Sequence, residues 1–477
     1  MPGKALTTDK RRSLLEELSQ MPVDADTDDD VLRTFLPGPQ YQRALDQRIL
    51  IVRGERGAGK TALFQLLHSV ERKKIRLSAI VPGAPDGRRI DGFAESGTAH
   101  PPVQVLEQFA ASADVETLRA FWLGHLAGRL HAEGVGRHPL PKAFADAYRL
   151  AVTAPAHWTA AARRELPALY AWLDTVETEA KETCFVVYDH LDRVSLTNQG
   201  VRHGMSKALL GLWMSLSQRY ARIRGKVLLR EDLFQSTLSS FADATKLEAR
   251  SVRIDWNAGR LFALLVRRMA AYDGLREWLE DVAHIEFEKV PYLGSVPPED
   301  FDERVQQQFA TALVGPYMGK GPTKGASHTW LINHLQDAHR RVTPRSLLQL
   351  VRGAASFALE NGPQAVFRRL LTPPELRQSL EFVTSNRRVN ELLEDYPVVG
   401  RLEGLRGAEL FLSRREVVKA LRSVELADGF DNNPEGAFEE LLRIGVLSDR
   451  GSGRIDVPDV FRYEFEIKRK GGVRRVV

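Results

Sequence analysis

The segment from Gly54 to Thr61, GERGAGKT, has the spacing G-x-x-x-x-G-K-[ST], which can bind the phosphates of a nucleotide. Glycines let backbone N–H groups wrap around phosphate oxygens, because a Cβ would block the approach or the positive φ that it needs. Lys60 would place a cation at the β and γ phosphates, and Thr61 would offer a hydroxyl to Mg²⁺. This loop predicts ATP and Mg²⁺ as cofactors, with the nucleotide held by Gly54, Gly57, Ala58, Gly59, Lys60 and Thr61.

The residues around this loop predict a strand before it and a helix after it. The run ILIVR (49–53) is short and β-rich, whereas KTALFQLLHSV (60–70) is amphipathic with helical periodicity. The beginning of that helix would add the positive end of its dipole to the phosphate site. A chance match in a glycine-rich turn is the alternative, and the flanking strand and helix argue against it.

A second candidate site follows the apolar run CFVVY (184–188), which is typical of a strand buried on both faces of a parallel sheet. Asp189 ends this run, where P-loop proteins place the acidic residue that holds Mg²⁺. The alternative is that Asp189 only caps the next helix. Asp192 is the nearest carboxylate that could orient or deprotonate an attacking water. It could instead pair with Arg193.

Further along the chain, alternating patterns predict a parallel, doubly wound α/β sheet. We expect a strand at 76–81 (RLSAIV), an exposed loop at 81–102, a helix from Met205 to Ala221 and a strand at 226–230 (KVLLR). After about Asp255 the pattern is helical. The tryptophans at helical spacing are expected to pack in a core, and they are Trp122, Trp158 and Trp172.

The last 80 or so residues predict a winged helix. Ser413 and Glu416 have the spacing of a capping box, a second helix runs to Gly445, and two β-like runs flank a Gly-Ser-Gly turn. Basic residues that could contact DNA phosphates lie in the first helix, the turn and the tail: Arg414, Arg415, Lys419, Arg422, Arg450, Arg454, Lys468, Arg469, Lys470, Arg474 and Arg475. The second helix is acidic on balance, which favours packing or protein contact over DNA recognition.

The P-loop together with YDHLDR (188–193) resembles the DDLDR type of magnesium-binding strand end in KAP, STAND and ORC-like ATPases of the AAA+ and related classes. KVLLREDLF and RVTPRSLL are similar to a later strand and to the start of a lid helix in these ATPases. One departure is His190, which stands where many AAA+ enzymes have Glu. The resemblance covers roughly residues 35–350.

The resemblance implies an α/β P-loop core with a helical lid and a C-terminal winged helix. The expected divisions are a lead-in at 1–40, the core at 41–255, the lid at 256–385 and the winged helix with its basic tail at 390–477. Arg230 would sense the γ-phosphate or act in a neighbouring subunit, and Arg345 would be the lid arginine on the phosphates. Arg230 could instead pair with Asp232 or Glu231, and Arg345 could be a surface residue. Weaker candidates are Arg193, Arg267 and Arg268.

By the same resemblance, such ATPases act as switches or motors, often as homo-oligomers with an effector, and some bacterial members act in antiphage defence. A DNA-binding loader or initiator is the second interpretation. The third is a nucleotide-binding scaffold with little turnover, which His190 suggests. A P-loop kinase and an ABC ATPase are disfavoured, since neither an acceptor site nor an LSGGQ-like signature is visible.

The bulk composition is that of an ordinary soluble globular protein, with 43% hydrophobic and 27% charged residues. At 477 residues the chain is too long for one core. No apolar run approaches the ~20 residues of a membrane span and no signal peptide is visible, so a cytoplasmic location is expected. Cys184 is the only cysteine, which excludes an internal disulfide and predicts a buried thiol. The acidic run at 24–30 and the basic end at 468–477 are expected to be solvated.

Overall fold

The computed structural model describes residues 6–25, 30–94, 99–150, 152–195, 198–362, 369–451 and 453–469. The chain separates into two compact units. The core unit comprises residues 28–255 with 291–293, and the second unit comprises residues 1–27, 256–290 and 294–477. Parts of the predicted acidic run (26–29) and basic tail (470–477) lie outside the described residues.

The N-terminal helix α1 (Thr8–Gln20) belongs to the second unit. The elements of the core unit are α2 (Val31–Thr34), α3 (Pro39–Leu45), β1 (Ile51–Gly54), α4 (Lys60–Arg72), β2 (Arg88–Phe93), α5 (Val103–Ala111), α6 (Val115–Ala132), α7 (Lys142–Leu150), α8 (Pro155–Arg164), α9 (Leu166–Glu179), β3 (Cys184–Tyr188), α10 (Gln199–Arg219), β4 (Ile223–Arg230), α11 (Glu231–Ser239), α12 (Ala244–Ala249) and β5 (Ser251–Arg253).

The centre of the core unit is a five-stranded parallel sheet with the order β2-β3-β4-β1-β5. All five residues of β3 are buried, as the continuous apolar run predicted. Strand β4 lies between β1 and β3, with Gly54 opposite Arg230 and Tyr188 opposite Val227. Because the strands are parallel, the P-loop, Asp189 and Arg230 emerge at the same edge of the sheet.

The predicted strand at 76–81 is wrong. Residues Leu77–Ala79 form a short 3₁₀ helix, and the second strand, β2, lies inside the segment that was expected to be an exposed loop. Strand β2 is at the edge of the sheet, and its polar residues and Gly92 hide its β pattern in the sequence. Gly92 is required there because a Cβ would lie 2.6 Å from the ring of Tyr188. Strand β5 was not predicted either.

Large aromatic side chains form the core between the sheet and helices α6, α8 and α10. Trp122, Trp158 and Trp172 are at most 5% exposed, which confirms their predicted packing role. The indole of Trp122 donates to the backbone oxygen of Met205 at 2.9 Å, which ties α6 to α10. Helix α10 begins earlier than expected, at Gln199 rather than Met205, with Asn198 as its N-cap.

The second unit is mainly helical. Its remaining elements are α13 (Ala258–Met269), α14 (Asp273–Asp281), β6 (Glu288–Val290), β7 (Gly294–Val296), α15 (Glu303–Val314), α16 (Ser327–Asn333), α17 (Pro344–Glu360), α18 (Pro373–Ser379), α19 (Ser385–Leu393), β8 (Glu409–Leu410), β9 (Leu412–Ser413), α20 (Arg414–Arg422), α21 (Pro434–Arg443), β10 (Ser448–Asp449), β11 (Arg454–Asp456), α22 (Asp459–Arg462) and β12 (Lys468–Arg469).

Helix α1 packs against α14 and α17 and is part of the second unit. Arg11, on its buried face, donates to the backbone oxygen of Leu370 at 3.1 Å and pairs with Glu375 at 3.0 Å. Asp24, from the run that was expected to be solvated, forms ion pairs with Arg345 at 2.7 Å and Arg387 at 2.6 Å. The N-terminal segment is therefore integrated into a folded unit.

The C-terminal part has the arrangement of a winged helix. Ser413 and Glu416 form the predicted capping box at the start of α20, and α21 is followed by Gly445 at φ +78°. Strands β10 and β11 form the predicted hairpin, and β9 completes a sheet with the order β10-β11-β9. The structure thus has the predicted fold class. None of the described helices is long and apolar enough to cross a lipid bilayer.

The buried thiol of Cys184 gives a direct test of the core. Burial in β3 raises the pKa of this thiol to about 12, so little thiolate exists at pH 8. We expect iodoacetamide to leave the native protein unmodified at pH 8 and to alkylate Cys184 rapidly in urea, measured by intact mass. Alkylation of the native protein at the rate of free cysteine would contradict this packing.

Candidate nucleotide-binding site

The backbone from Gly54 to Lys60 forms a tight loop with two glycines at positive φ. Gly57 and Gly59 adopt φ values of +79° and +98°, in the region where a side chain is unfavourable. At Gly54 a Cβ would lie 3.0 Å from the Cβ of Ala58, so the loop closes tightly on itself. Helix α4 begins at Lys60, which directs its first N–H groups toward the loop.

Lys60 is the buried cation of the loop, with 9% of the residue exposed. Its ammonium donates to the backbone oxygens of Gly54 at 2.8 Å and Glu55 at 3.0 Å. Burial lowers the pKa of Lys60, while the carboxylates of Asp189 and Asp192 work in the opposite direction. The structure therefore brings the two predicted acidic residues into the electrostatic environment of the P-loop lysine.

Asp189 follows the last residue of β3 and is 4% exposed. Its Oδ2 atom has no hydrogen-bond partner among the residues that the structure describes, and the Nε2 atom of His190 is 3.5 Å away. Burial raises the pKa of Asp189, and His190 and Lys60 oppose that rise. A buried carboxylate oxygen that accepts no hydrogen bond within the described residues, beside a P-loop, fits the oxygen ligand that Mg²⁺ prefers.

Asp192 lies closer to solvent, with 31% of its side chain exposed, and its carboxylate is 3.6 Å from the guanidinium of Arg230. Burial acts to raise the pKa of Asp192, but Arg230, His190 and Lys60 together lower it below its ordinary value. Asp192 is therefore ionised at neutral pH and can accept a hydrogen bond from water.

Arg230, the last residue of β4, is buried and binds two carboxylates. Its Nε and Nη2 atoms donate to the two oxygens of Asp232 at 3.0 and 2.9 Å. Pairing with Asp232 was one of the alternatives given for Arg230 from the sequence. The bidentate contact fixes the plane of the guanidinium. A third nitrogen, Nη1, is the one that lies near Asp192.

A charge network that the sequence did not predict braces the P-loop. Arg253, on β5, pairs with Glu55 of the loop at 3.2 Å, and Glu231 accepts from Arg53 at 2.6 Å. Arg253 also lies 3.8 Å from Glu231, so the network joins the ends of β1, β4 and β5. The only signal in the sequence is a charged residue at each strand end, and β5 itself was missed.

Of the remaining candidate arginines, Arg193 lies in the core unit, at the end of a short 3₁₀ helix, and the other three lie in the second unit. Arg345, the second residue of α17, pairs with Asp24 at 2.7 Å and with Glu391 at 3.1 Å. Arg267 is buried on α13 and donates to the backbone oxygen of Ser295 at 2.5 Å, and Arg268 is buried beside it. A role of Arg345 in contacting phosphates stays a prediction.

Neither a protein-family model nor a curated protein sequence matches the chain. Solved structures of similar length align weakly. Cdc6p from Pyrobaculum aerophilum has 12% identity, a TM-score of 0.33, and coverage of 97% of this chain and 96% of that one. ORC2 from Aeropyrum pernix, in its ADPNP–ADP complexes, has 12% identity and a TM-score of 0.42, and the alignment covers 92% of this chain and 95% of that one. ORC1 from Aeropyrum pernix in complex with DNA has 13% identity and a TM-score of 0.36, and the alignment covers 89% of this chain and 90% of that one. Similarity at this level does not establish a family.

The glycine at position 59 tests the loop conformation. Alanine at φ +98° is strained by about 1–2 kcal/mol and adds a methyl group where phosphate oxygens must approach. We expect Gly59→Ala to weaken ATP binding at least about tenfold, measured by isothermal titration calorimetry. Gly134→Ala is the matched control, since Gly134 also has positive φ (+66°) in the core unit but has no atom near its Cβ position. Unchanged ATP affinity in Gly59→Ala would contradict the assignment of the loop.

Proposed function

We propose that the protein binds ATP with Mg²⁺ in the core unit and hydrolyses it as a switch or motor ATPase. The observation that carries this proposal is the pairing of a glycine loop with two positive φ angles and a buried carboxylate oxygen of Asp189 that accepts no hydrogen bond within the described residues. Either feature alone has a structural explanation. Their placement at one edge of a parallel sheet, on strands separated by β4, supports a common function.

Different residues of the site would bind the phosphates and the Mg²⁺ ion. Backbone N–H groups from Gly57 to Lys60 and the ammonium of Lys60 would hold the phosphates. Thr61 and Asp189 would hold Mg²⁺, which when bound neutralises phosphate charge and orients the phosphates. Asp189 is held in place by its backbone N–H, which donates to the oxygen of Phe93 at 3.0 Å.

Asp192 is the residue we assign to the attacking water. Its lowered pKa makes it a weak base, so it would orient the water more than remove its proton. Asp232 holds the guanidinium of Arg230 from one side, and the Nη1 atom on the other side lies near Asp192. In this position Arg230 would stabilise negative charge on the γ-phosphate. His190, where many AAA+ enzymes have Glu, cannot serve as a carboxylate, and this favours slow turnover.

ATP turnover by variants tests these roles. Lys60→Ala is expected to lose ATP binding, because the cation that would contact the phosphates is removed. Asp192→Asn keeps the shape of the side chain but not its charge, so we expect kcat to fall by about 10²-fold or more with ATP affinity changed less than about threefold. The measurement is steady-state phosphate release together with ATP titration.

The control for Asp192 is Asp232→Asn, because Asp232 also binds Arg230. If Asp232→Asn reduces kcat as much as Asp192→Asn does, then Asp192 acts only through Arg230 and the proposed water-orienting role is wrong. If wild-type protein binds ATP but releases no phosphate under any condition, the scaffold interpretation replaces the ATPase.

A second candidate function, DNA binding, is favoured by the exposed face of α20. Arg415, Lys419 and Arg422 are exposed at i, i+4 and i+7, so they form one basic stripe on a winged helix. None of the three forms an ion pair with a carboxylate within the described residues. Glu435 and Glu439 on α21 argue against DNA binding, because their negative charge would repel DNA phosphates.

DNA binding is tested by the salt dependence of affinity and by Arg415→Gln/Lys419→Gln/Arg422→Gln. Loss of DNA affinity in this variant, or DNA stimulation of ATP turnover, would favour the DNA-binding loader interpretation over the other two. A truncation should remove only residues 470–477, since Arg469 pairs with the buried Asp456 at 2.9 Å and Phe465 is buried. Homo-oligomer formation, an effector partner and a place in antiphage defence stay predictions from the resemblance.

A further inference from the structure

A cavity of about 720 Å³ lies in the core unit at the amino ends of β1 and β4. The P-loop and Arg230 are at the carboxyl ends of the same strands, and the eight residues of β4 span roughly 25 Å at ~3.3 Å per residue. The cavity is therefore separate from the nucleotide site. Its volume is within the range of small-molecule sites, about 300–1,000 Å³.

Three arginines line this cavity: Arg48 after α3, Arg224 at the start of β4, and Arg250 after α12. None of them forms an ion pair with any carboxylate in the described ranges of the chain. Arg224 is anchored instead by backbone oxygens, that of Ala221 at 2.9 Å and that of Ser217 at 3.1 Å. Arg250 donates to the hydroxyl of Ser217.

The carboxylates near the cavity are already engaged by backbone N–H groups. Asp46, the acidic lining residue, accepts from the N–H of Arg48 at 2.8 Å. Glu177, the carboxylate that most affects Arg224, accepts from the N–H groups of Arg222 at 2.8 Å and Ile223 at 3.0 Å. The lining therefore carries three guanidinium groups and one carboxylate, that of Asp46, and within the described residues none of the three guanidinium groups pairs directly with a carboxylate.

The wall of the cavity is fixed by a buried lysine on β4. The ammonium of Lys226, 2% exposed, donates to the backbone oxygens of Ala44 at 3.0 Å, Asp46 and Ile49. Leu50 and Ile51 donate to the backbone oxygen of Arg250 at 2.9 and 3.1 Å. The segments that carry Arg48, Arg224 and Arg250 are therefore held together before any ligand binds, which reduces the entropy lost on binding.

We propose that this cavity is a second anion site, which binds a phosphorylated small molecule through Arg48, Arg224 and Arg250. Guanidinium groups match phosphate oxygens in charge and bidentate geometry, whereas a neutral ligand would leave the three cations with only the carboxylate of Asp46 in the lining to offset them. The volume of about 720 Å³ suits a ligand of small-molecule size. The proposal does not depend on ATP binding at the P-loop.

The experiment is calorimetric titration of inorganic pyrophosphate into full-length Lys60→Ala protein, which disables the P-loop. We expect one binding site, and at least about tenfold weaker binding when Arg224→Gln and Arg250→Gln are added. Arg137→Gln/Arg164→Gln in the same background is the matched control, since both residues are exposed on the core unit, and its affinity should be unchanged. Adenosine, which lacks phosphate, should not bind.

Folding of each variant is checked by its thermal transition. Arg48→Gln gives an independent test, because Arg48 is exposed, makes no side-chain hydrogen bond within the described residues, and should weaken pyrophosphate binding without changing stability. Failure of Lys60→Ala protein to bind millimolar pyrophosphate would overturn the proposal. Equal affinity in the Arg224→Gln/Arg250→Gln and Arg137→Gln/Arg164→Gln variants would also overturn it.

Discussion

The electrostatic balance around Asp189 and Lys60 constrains the rest of the core unit. Both residues are buried, and burial disfavours the charged form of each. Two opposite charges can be kept there only if the backbone holds them together, which the parallel sheet does by ending β1 and β3 at one edge. A ligand that brings phosphate oxygens to Lys60 and a divalent cation to Asp189 would offset the desolvation of both.

Strand β4 links the two ends of this unit. At its carboxyl end, Arg230 joins Asp192 and Asp232, and at its amino end Arg224 lines the arginine cavity. Between them, Lys226 secures the strand to the turn before β1. The strand is buried along nearly its whole length, so it positions Arg230 at one end and the arginine cavity at the other.

Much of the core and the position of the candidate site were predictable from sequence, because the signals were local. GERGAGKT and CFVVYD each contain a strand or its end next to a candidate site residue, and the capping box at Ser413 is equally local. Strand β2 was missed because an edge strand needs little apolar character, and its pairing with β3 is a tertiary contact. The brace between Arg253 and Glu55 joins residues 198 positions apart, so no local pattern could reveal it.

The most direct measurement is the dissociation constant of ATP for the wild-type protein and for Asp189→Asn, each with Mg²⁺ and with EDTA. We expect Mg²⁺ to tighten ATP binding to the wild type at least about tenfold, and we expect this gain largely to disappear in Asp189→Asn. It would be contradicted if the wild type did not bind ATP. Equal dependence on Mg²⁺ in the two proteins would contradict the role assigned to the buried carboxylate at the end of β3.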